Sequence, residues 1–310
     1  MKPALHFPRF AKNLLAAALV ATFGIAGFPA EAKTPKGSAL ATVKSKVAQG
    51  ADAKALREEF RIMHNYCETD VTDRLEAVRF LLDSGMGVNQ KDVNGVTPLE
   101  DILGAINSNK WYDNGNCEAV QEENNKIAML LVSRGADMNV SVHDSGFKGS
   151  YNTAFETALM YGSANLVQIM IENGAKVNAV EGDITPLHRA WRADIAKVLL
   201  DNGAKVDAKD FQGNTPLMSS VGNTDTVRLL IERGANVNAV NKKGETALTM
   251  AQEAQKNLKG AWQKLTPAQR ADKFYQENLV QINEYDKVIS ILKEAGAKAP
   301  AGGKKGAKKR

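Results

Sequence analysis

One stretch of the chain says the same thing twice, and this restricts the fold more than any other feature. Between Gly182 and Asn241, Thr185-Pro186-Leu187 recurs as Thr215-Pro216-Leu217, thirty positions on. Val198-Leu199-Leu200 recurs as Leu229-Leu230-Ile231, and Gly203-Ala204-Lys205-Val206-Asp207 as Gly234-Ala235-Asn236-Val237-Asn238. Self-similarity at a fixed period of about 20–50 residues means stacked supersecondary units, each burying its apolar face only against its neighbours.

The same ending runs along the chain. An apolar stripe at helical spacing is followed by glycine at Gly85, Gly135, Gly174, Gly203, Gly234 and Gly296. Glycine just past a helix takes the left-handed conformation that closes it with little strain. Six endings give six repeats. The starts match: Thr97-Pro98-Leu99, Thr153-Ala154-Phe155, Thr185-Pro186-Leu187, Thr215-Pro216-Leu217 and Thr246-Ala247-Leu248. A threonine hydroxyl at such a start is expected to cap the free amides, and proline at the first helical position loses no hydrogen bond. Gly95, Gly213 and Gly244 stand two residues before three of these threonines, with Asp183 in the same place before Thr185.

The pattern G-x-T-P-L-H-x-A…V-x-x-L-L-x-x-G-A-x-V-N resembles the ankyrin repeat, most specifically at Thr185-Pro186-Leu187-His188 and in three consecutive Gly-Ala-x-Val-Asn/Asp runs. The resemblance implies an all-α fold over residues 56–300, a solenoid of about six helix pairs with inserts and helical caps, and a β-hairpin-like finger between repeats. It also implies a protein-binding module rather than a catalyst, binding through a concave face of finger tips and first helices. Residues 33–55 read as a linker and capping helix.

This chain departs from the family pattern in four places. Threonine-to-threonine spacings of 32, 30 and 31 from Thr153 to Thr246 predict shortened first helices in the fourth and fifth repeats. Ile106 to Asn125 is an insert in the second repeat, and Asn139 to Thr153 makes a long finger. Gln252 to Tyr285 opens the last repeat and reads as a C-terminal cap, which a stack needs because an ordinary end repeat exposes an apolar face.

The first thirty-two residues read as a bacterial export signal: Lys2, Arg9 and Lys12, an uncharged apolar run, then Ala30-Glu31-Ala32. Cleavage after Ala32 predicts an exported, periplasmic chain beginning at Lys33. The net charge of +5 is then misleading. Removing the presequence leaves +3, and the five bases from Lys304 to Arg310 account for more than that, so the body stands near −2. The basic pI comes from a tail, which argues against a nucleic-acid partner. Residues 301–310 are too polar and glycine-rich to fold, and the tail offers weak contact with an anionic surface. In an exported chain the two cysteines, Cys67 and Cys117, make one disulfide the first expectation.

Chemistry is sparse. His188 belongs to the repeat motif, while His64 and His143 stand apart, short of the four ligands a structural zinc wants. No phosphate-cradling glycine loop or nucleophile elbow is present. Glu58-Glu59 and Glu122-Glu123 read as solvated helix faces. Neither a catalytic group nor a cofactor or metal is expected. Candidate partner-binding residues are Arg189, Arg192, Phe211, Gln212, Lys242 and Lys243 on the face the resemblance implies, and Trp111, Tyr112, Phe147 and Tyr151 in the inserts. Asp92, Asn94 and Asp210 share those finger tips. An exposed aromatic such as Phe211 is a plausible anchor, with packing on the neighbouring finger as the alternative. The reading is a monomeric adaptor or inhibitor of another protein, immunity-type inhibition being one version. The alternative is a structural protein held to the envelope by its tail.

Overall fold

The computed structural model describes residues 37–62, 71–109, 117–143, 151–179 and 184–299. A short first helix, α1 (Ala39–Ala48), precedes six helix pairs. The pairs are α2 (Ala53–Ile62) with α3 (Arg74–Asp83), α4 (Pro98–Asn109) with α5 (Cys117–Ser133), and α6 (Ala154–Tyr161) with α7 (Ala164–Glu172). Next come α8 (Pro186–Arg189) with α9 (Ala193–Asp201) and α10 (Pro216–Ser219) with α11 (Thr224–Glu232). The last pair is α12 (Ala247–Gln263) and α14 (Lys273–Glu294), with the short α13 (Pro267–Ala271) between them. As the spacing predicts, α8 and α10 have four residues each, against eight in α6.

First helices pack on first helices and second on second, so the solenoid has two layers. Its core repeats with the sequence. Leu99, Leu159, Leu187, Leu217 and Leu248 line the first layer, while Val78, Leu131, Val167, Leu199, Leu230 and Val288 line the second, all buried. No single pair could bury such a stripe alone, so stability comes from the stacking. At the N-terminal end α1 packs on α3, covering the second layer with Ala39 and Val43. Beside it a two-residue parallel pairing joins β1 (Gly37–Ser38) to β2 (Val71–Thr72). At the other end Gln281 donates to the Gly222 carbonyl at 3.1 Å and Thr224 donates to Glu284 at 2.6 Å, so α14 closes over the fifth repeat as a cap.

Each second helix ends the same way. At α9, the Gly203 N–H donates to the Leu200 carbonyl and the Ala204 N–H to the Leu199 carbonyl, with Gly203 at φ +85°. This double closure satisfies carbonyls that a helix end leaves free, and it needs a residue that tolerates positive φ. The same two bonds occur after α3, α5, α7, α11 and α14.

The closure presents one carbonyl and one N–H to the preceding repeat, and the Asn or Asp of the Val-Asn/Asp pair bridges them. Asn89 donates to the Gly135 carbonyl at 3.1 Å and accepts from Asp137 N–H at 2.8 Å. Asn178 does the same with Gly203 and Lys205, at 2.9 Å each. Asn238 does it with Gly296 and Lys298, at 3.3 and 2.8 Å. Asp207, which has no N–H, only accepts, from Asn236 at 3.0 Å. These rungs stitch neighbouring repeats together. Replacing Asn178 by Ala removes two hydrogen bonds, each contributing about 1 kcal/mol net, and is expected to destabilise the fold by about 1–2 kcal/mol in urea denaturation.

Candidate interaction site

The fingers are rigid because their tips are hydrogen-bonded turns. Asp210 Oδ1 accepts from the N–H groups of Gln212 and Asn214 at 2.8 and 2.7 Å. Asn241 Oδ1 accepts from Lys243 and Glu245, both at 2.9 Å, and Asp92 repeats the arrangement with Asn94 and Val96. Gly213, at φ +77°, is required twice over: a Cβ there would also meet the Lys242 nitrogen at 3.2 Å. Neighbouring tips are then joined. Lys242 N–H donates to the Gln212 carbonyl at 2.9 Å, the Lys242 ammonium to the Phe211 carbonyl at 2.7 Å, and Asn241 to Asn214 Oδ1 at 2.8 Å. On this fixed backbone the Phe211 side chain stands half exposed, at 50%.

Below the fingers, His188 sits on α8. Its Nδ1 lies 2.8 Å from the Thr185 hydroxyl, and its Nε2 lies 3.0 Å from the Asn214 carbonyl in the next finger. A carbonyl only accepts, so Nε2 carries the proton and Nδ1 accepts. Burial pushes the His188 pKa down, against the pull of the Asn214 carbonyl and Asp210. Arg189, next along, ion-pairs with Glu156 on α6 at 2.7 Å, while Glu156 also accepts from Thr153 N–H at 3.1 Å. The Arg189 Nε is buried with no hydrogen-bond partner among the described residues.

A cleft of about 440 Å³ opens beside this ion pair, between the long finger and the next one. Met138, Asn139 and Thr153 form one wall, and Gly174, Lys176 and Ile184 the other.

Family models agree with this geometry. One described as ankyrin repeats in three copies matches residues 117–210, and one described as an ankyrin repeat matches residues 212–242. Residues 117–242 are ankyrin repeats. The same helix pair, glycine closure and rung continue on both sides of the matched region, through α2–α4 and α12–α14. Ankyrin repeats form a protein–protein interaction domain, and no enzyme family is indicated. Among the described residues no group of three His, Cys, Asp or Glu side chains converges as a metal site would need.

The ankyrin architecture distributes the candidate residues unevenly. Phe211, Gln212, Lys242 and Lys243 come together on the joined tips of two fingers. Arg189 is held low on the first-helix layer by Glu156. Arg192 lies elsewhere, between α8 and α9, where it donates to the Gly162 carbonyl at 2.9 Å and pairs with Asp194. Trp111, Tyr112, Phe147 and Cys67 lie outside the described residues; Tyr151 belongs to β4 (Tyr151–Thr153), paired antiparallel with β3 (Ser141–His143) in the long finger, and Cys117 is the first residue of α5.

Two readings of the sequence need correction. Thr153, Thr97 and Thr246 cap their helices, but the Thr185 hydroxyl goes to His188, and the Thr215 hydroxyl is buried with no partner among the described residues, Met218 standing where His188 stands one repeat earlier. The acidic pairs are not simply solvated. Glu58 and Glu122 face outward, paired with Arg61 and Lys126, but Glu59 is buried against Lys46 at 2.6 Å, and Glu123 holds Arg74 at 2.6 Å. Arg74 and Arg57 are themselves fully buried. Arg57 donates to the Gln90 and Val96 carbonyls and to Asp101, whose carboxyl burial pushes up against the pull of Arg57.

His188 makes stability pH-dependent, with a definite sign. Its folded pKa is below the unfolded value, so its contribution is complete above ~6.5 and is lost as pH falls from there through the folded value. The urea midpoint is therefore expected to drop between about pH 7.5 and 5. In His188→Ala the midpoint is lower at neutral pH, and the gap to the unsubstituted chain narrows on acidification.

Proposed function

We propose that this protein is a non-catalytic scaffold of the cell envelope, exported through its presequence, which binds a protein partner through the joined finger tips and the inserted loops. The observation that carries the reading is Phe211: a half-exposed aromatic ring on a finger whose backbone is closed on itself at Asp210 and tied to the next finger at Lys242. Hot spots are enriched in rigid, partly buried anchors surrounded by polar groups, and here Gln212, Lys242 and Lys243 supply the rim. The body is slightly acidic, so the partner is a protein rather than a nucleic acid, and inhibition of a periplasmic enzyme or toxin is the version we favour.

A disulfide between Cys67 and Cys117 fits the proposed compartment. Support for it is the neighbourhood: the Leu75 N–H donates to Glu123, so α3, seven residues after Cys67 in sequence, meets the helix that Cys117 opens. Such a bond would close a loop of about fifty residues and stabilise the N-terminal repeats by a few kcal/mol.

Two outcomes are expected. Edman sequencing of the chain recovered from the periplasm begins at Lys33; a start at Met1 on protein in the cytoplasm removes the export reading. Affinity capture with the tagged full chain retains one stoichiometric protein, and Phe211→Ser lowers that retention at least tenfold with an unchanged melting point. Capture indifferent to Phe211 but lost with residues 304–310, and weakened by salt, would instead make this an envelope-anchored structural protein.

A further inference from the structure

Each rung between repeats makes at least one of its two hydrogen bonds except at one junction. By its place in the repeat, Asn139 should bridge the Gly174 carbonyl and the Lys176 N–H, as Asn178 bridges Gly203 and Lys205. Instead its backbone and side-chain N–H groups both donate to Asp137 Oδ1, at 2.9 and 3.1 Å. The reason is local. Asp137 occupies the position held by Gly87, Lys176, Lys205 and Asn236 in the other repeats, and it alone is a carboxylate. A charged acceptor outcompetes a neutral carbonyl for an amide N–H. Asn236 provides the comparison: its neutral carboxamide accepts from the Asn238 backbone, and the Asn238 side chain still reaches Gly296.

The groups Asn139 leaves behind sit on the same glycine closure as the bridged rungs. Gly174 has φ +101°, and the Ala175 N–H closes α7 onto the Met170 carbonyl at 2.9 Å, as at every other repeat end. Gly174 and Lys176 line the cleft between the two fingers, with Asn139 on the opposite wall. The cleft, at about 440 Å³, is within the range of small-ligand sites, and Met138, Phe155 and Ile184 give it apolar surface. A carbonyl and an N–H on such a closure form a receptor whose complement is shown three times in this molecule: one side-chain carboxamide. The chain segments nearest in sequence to the cleft walls, residues 144–150 and 180–183, contain neither Asn nor Gln.

We propose that this open rung is a docking site for an extended segment of the protein partner, which inserts an Asn or Gln side chain between Gly174 and Lys176 and lays flanking apolar residues into the cleft. The proposal rests on the partner-binding reading above and gives it a second, chemically defined contact. It also assigns Asp137 a role: its carboxylate holds the site open by drawing Asn139 aside.

The test separates this site from the finger tips. A random dodecapeptide library is panned on the full chain, and selected peptides are measured against three variants. Peptides should converge on one Asn or Gln, and replacing it by Asp or Leu should weaken binding about tenfold or more, the effect of leaving a buried polar pair unmet. Asp137→Lys, which installs the residue found at the closed rungs, should let Asn139 close the site: binding falls at least tenfold while the melting point holds or rises. Asn139→Ala should bind as well as the unsubstituted chain, and Asp137→Lys combined with Asn139→Ala should restore binding. Failure to select any peptide, selection without a carboxamide, or binding that Asp137→Lys leaves intact would each overturn the open-rung site. The partner-binding reading would survive all three, since it is judged on Phe211.

Discussion

A main-chain carbonyl and N–H offered side by side at the end of every second helix set the terms for the rest of this molecule. They exist because glycine turns the chain into the left-handed region there and the helix closes with two hydrogen bonds. Once they exist, an asparagine of the neighbouring repeat can answer both with donor and acceptor from one rigid group, as Asn89, Asn178 and Asn238 do. The requirement fixes the spacing of repeats more strictly than apolar contact alone, since packing tolerates small slides and a two-point hydrogen bond does not. Where aspartate replaces asparagine, at Asp207, only the N–H is met. The carboxylate saves nothing in geometry and gives up one bond.

The fingers extend the same logic outward. The tips at Asp210 and Asn241 are each closed on themselves and tied to one another, and His188 connects that layer to the helices below. Order therefore reaches the outermost residues of the fourth and fifth repeats, which is where a partner would be met. A half-exposed phenylalanine loses little further freedom on binding when its backbone is already fixed, and preorganisation of this kind improves affinity without added contact area.

Much of this could be read before any coordinates. Thr-Pro-Leu and Gly-Ala-x-Val-Asn name the fold because each residue type answers a local backbone need: a helix start, a positive φ, a two-point bridge. Shortened α8 and α10 followed from spacing alone. What escaped was everything settled between residues far apart in sequence. Arg57 meets Gln90, Val96 and Asp101, and Arg74 meets Glu123, across 33 to 49 positions. From one helix at a time these charges look solvated. The open rung escaped for the opposite reason. Its determinant, Asp137, is two residues from Asn139, but a charged residue in a variable motif position gives no sign that it will turn its neighbour away from a partner in the next repeat.

The two buried arginines have a consequence for how the array comes apart. In a stack held by apolar contact, a terminal repeat frays by exposing a modest hydrophobic face, and the loss is graded. Here the first repeat carries Arg57 and Arg74, each enclosed and each neutralised by a carboxylate that belongs to the second repeat. Peeling the first repeat away would hydrate its own cations without difficulty. It would also leave Asp101 on α4 and Glu123 on α5 without their counter-charges. The second repeat is thereby committed to the first. Opening at this end therefore breaks two ion pairs together with the apolar contact, so the N-terminus behaves as a latch rather than a graded edge.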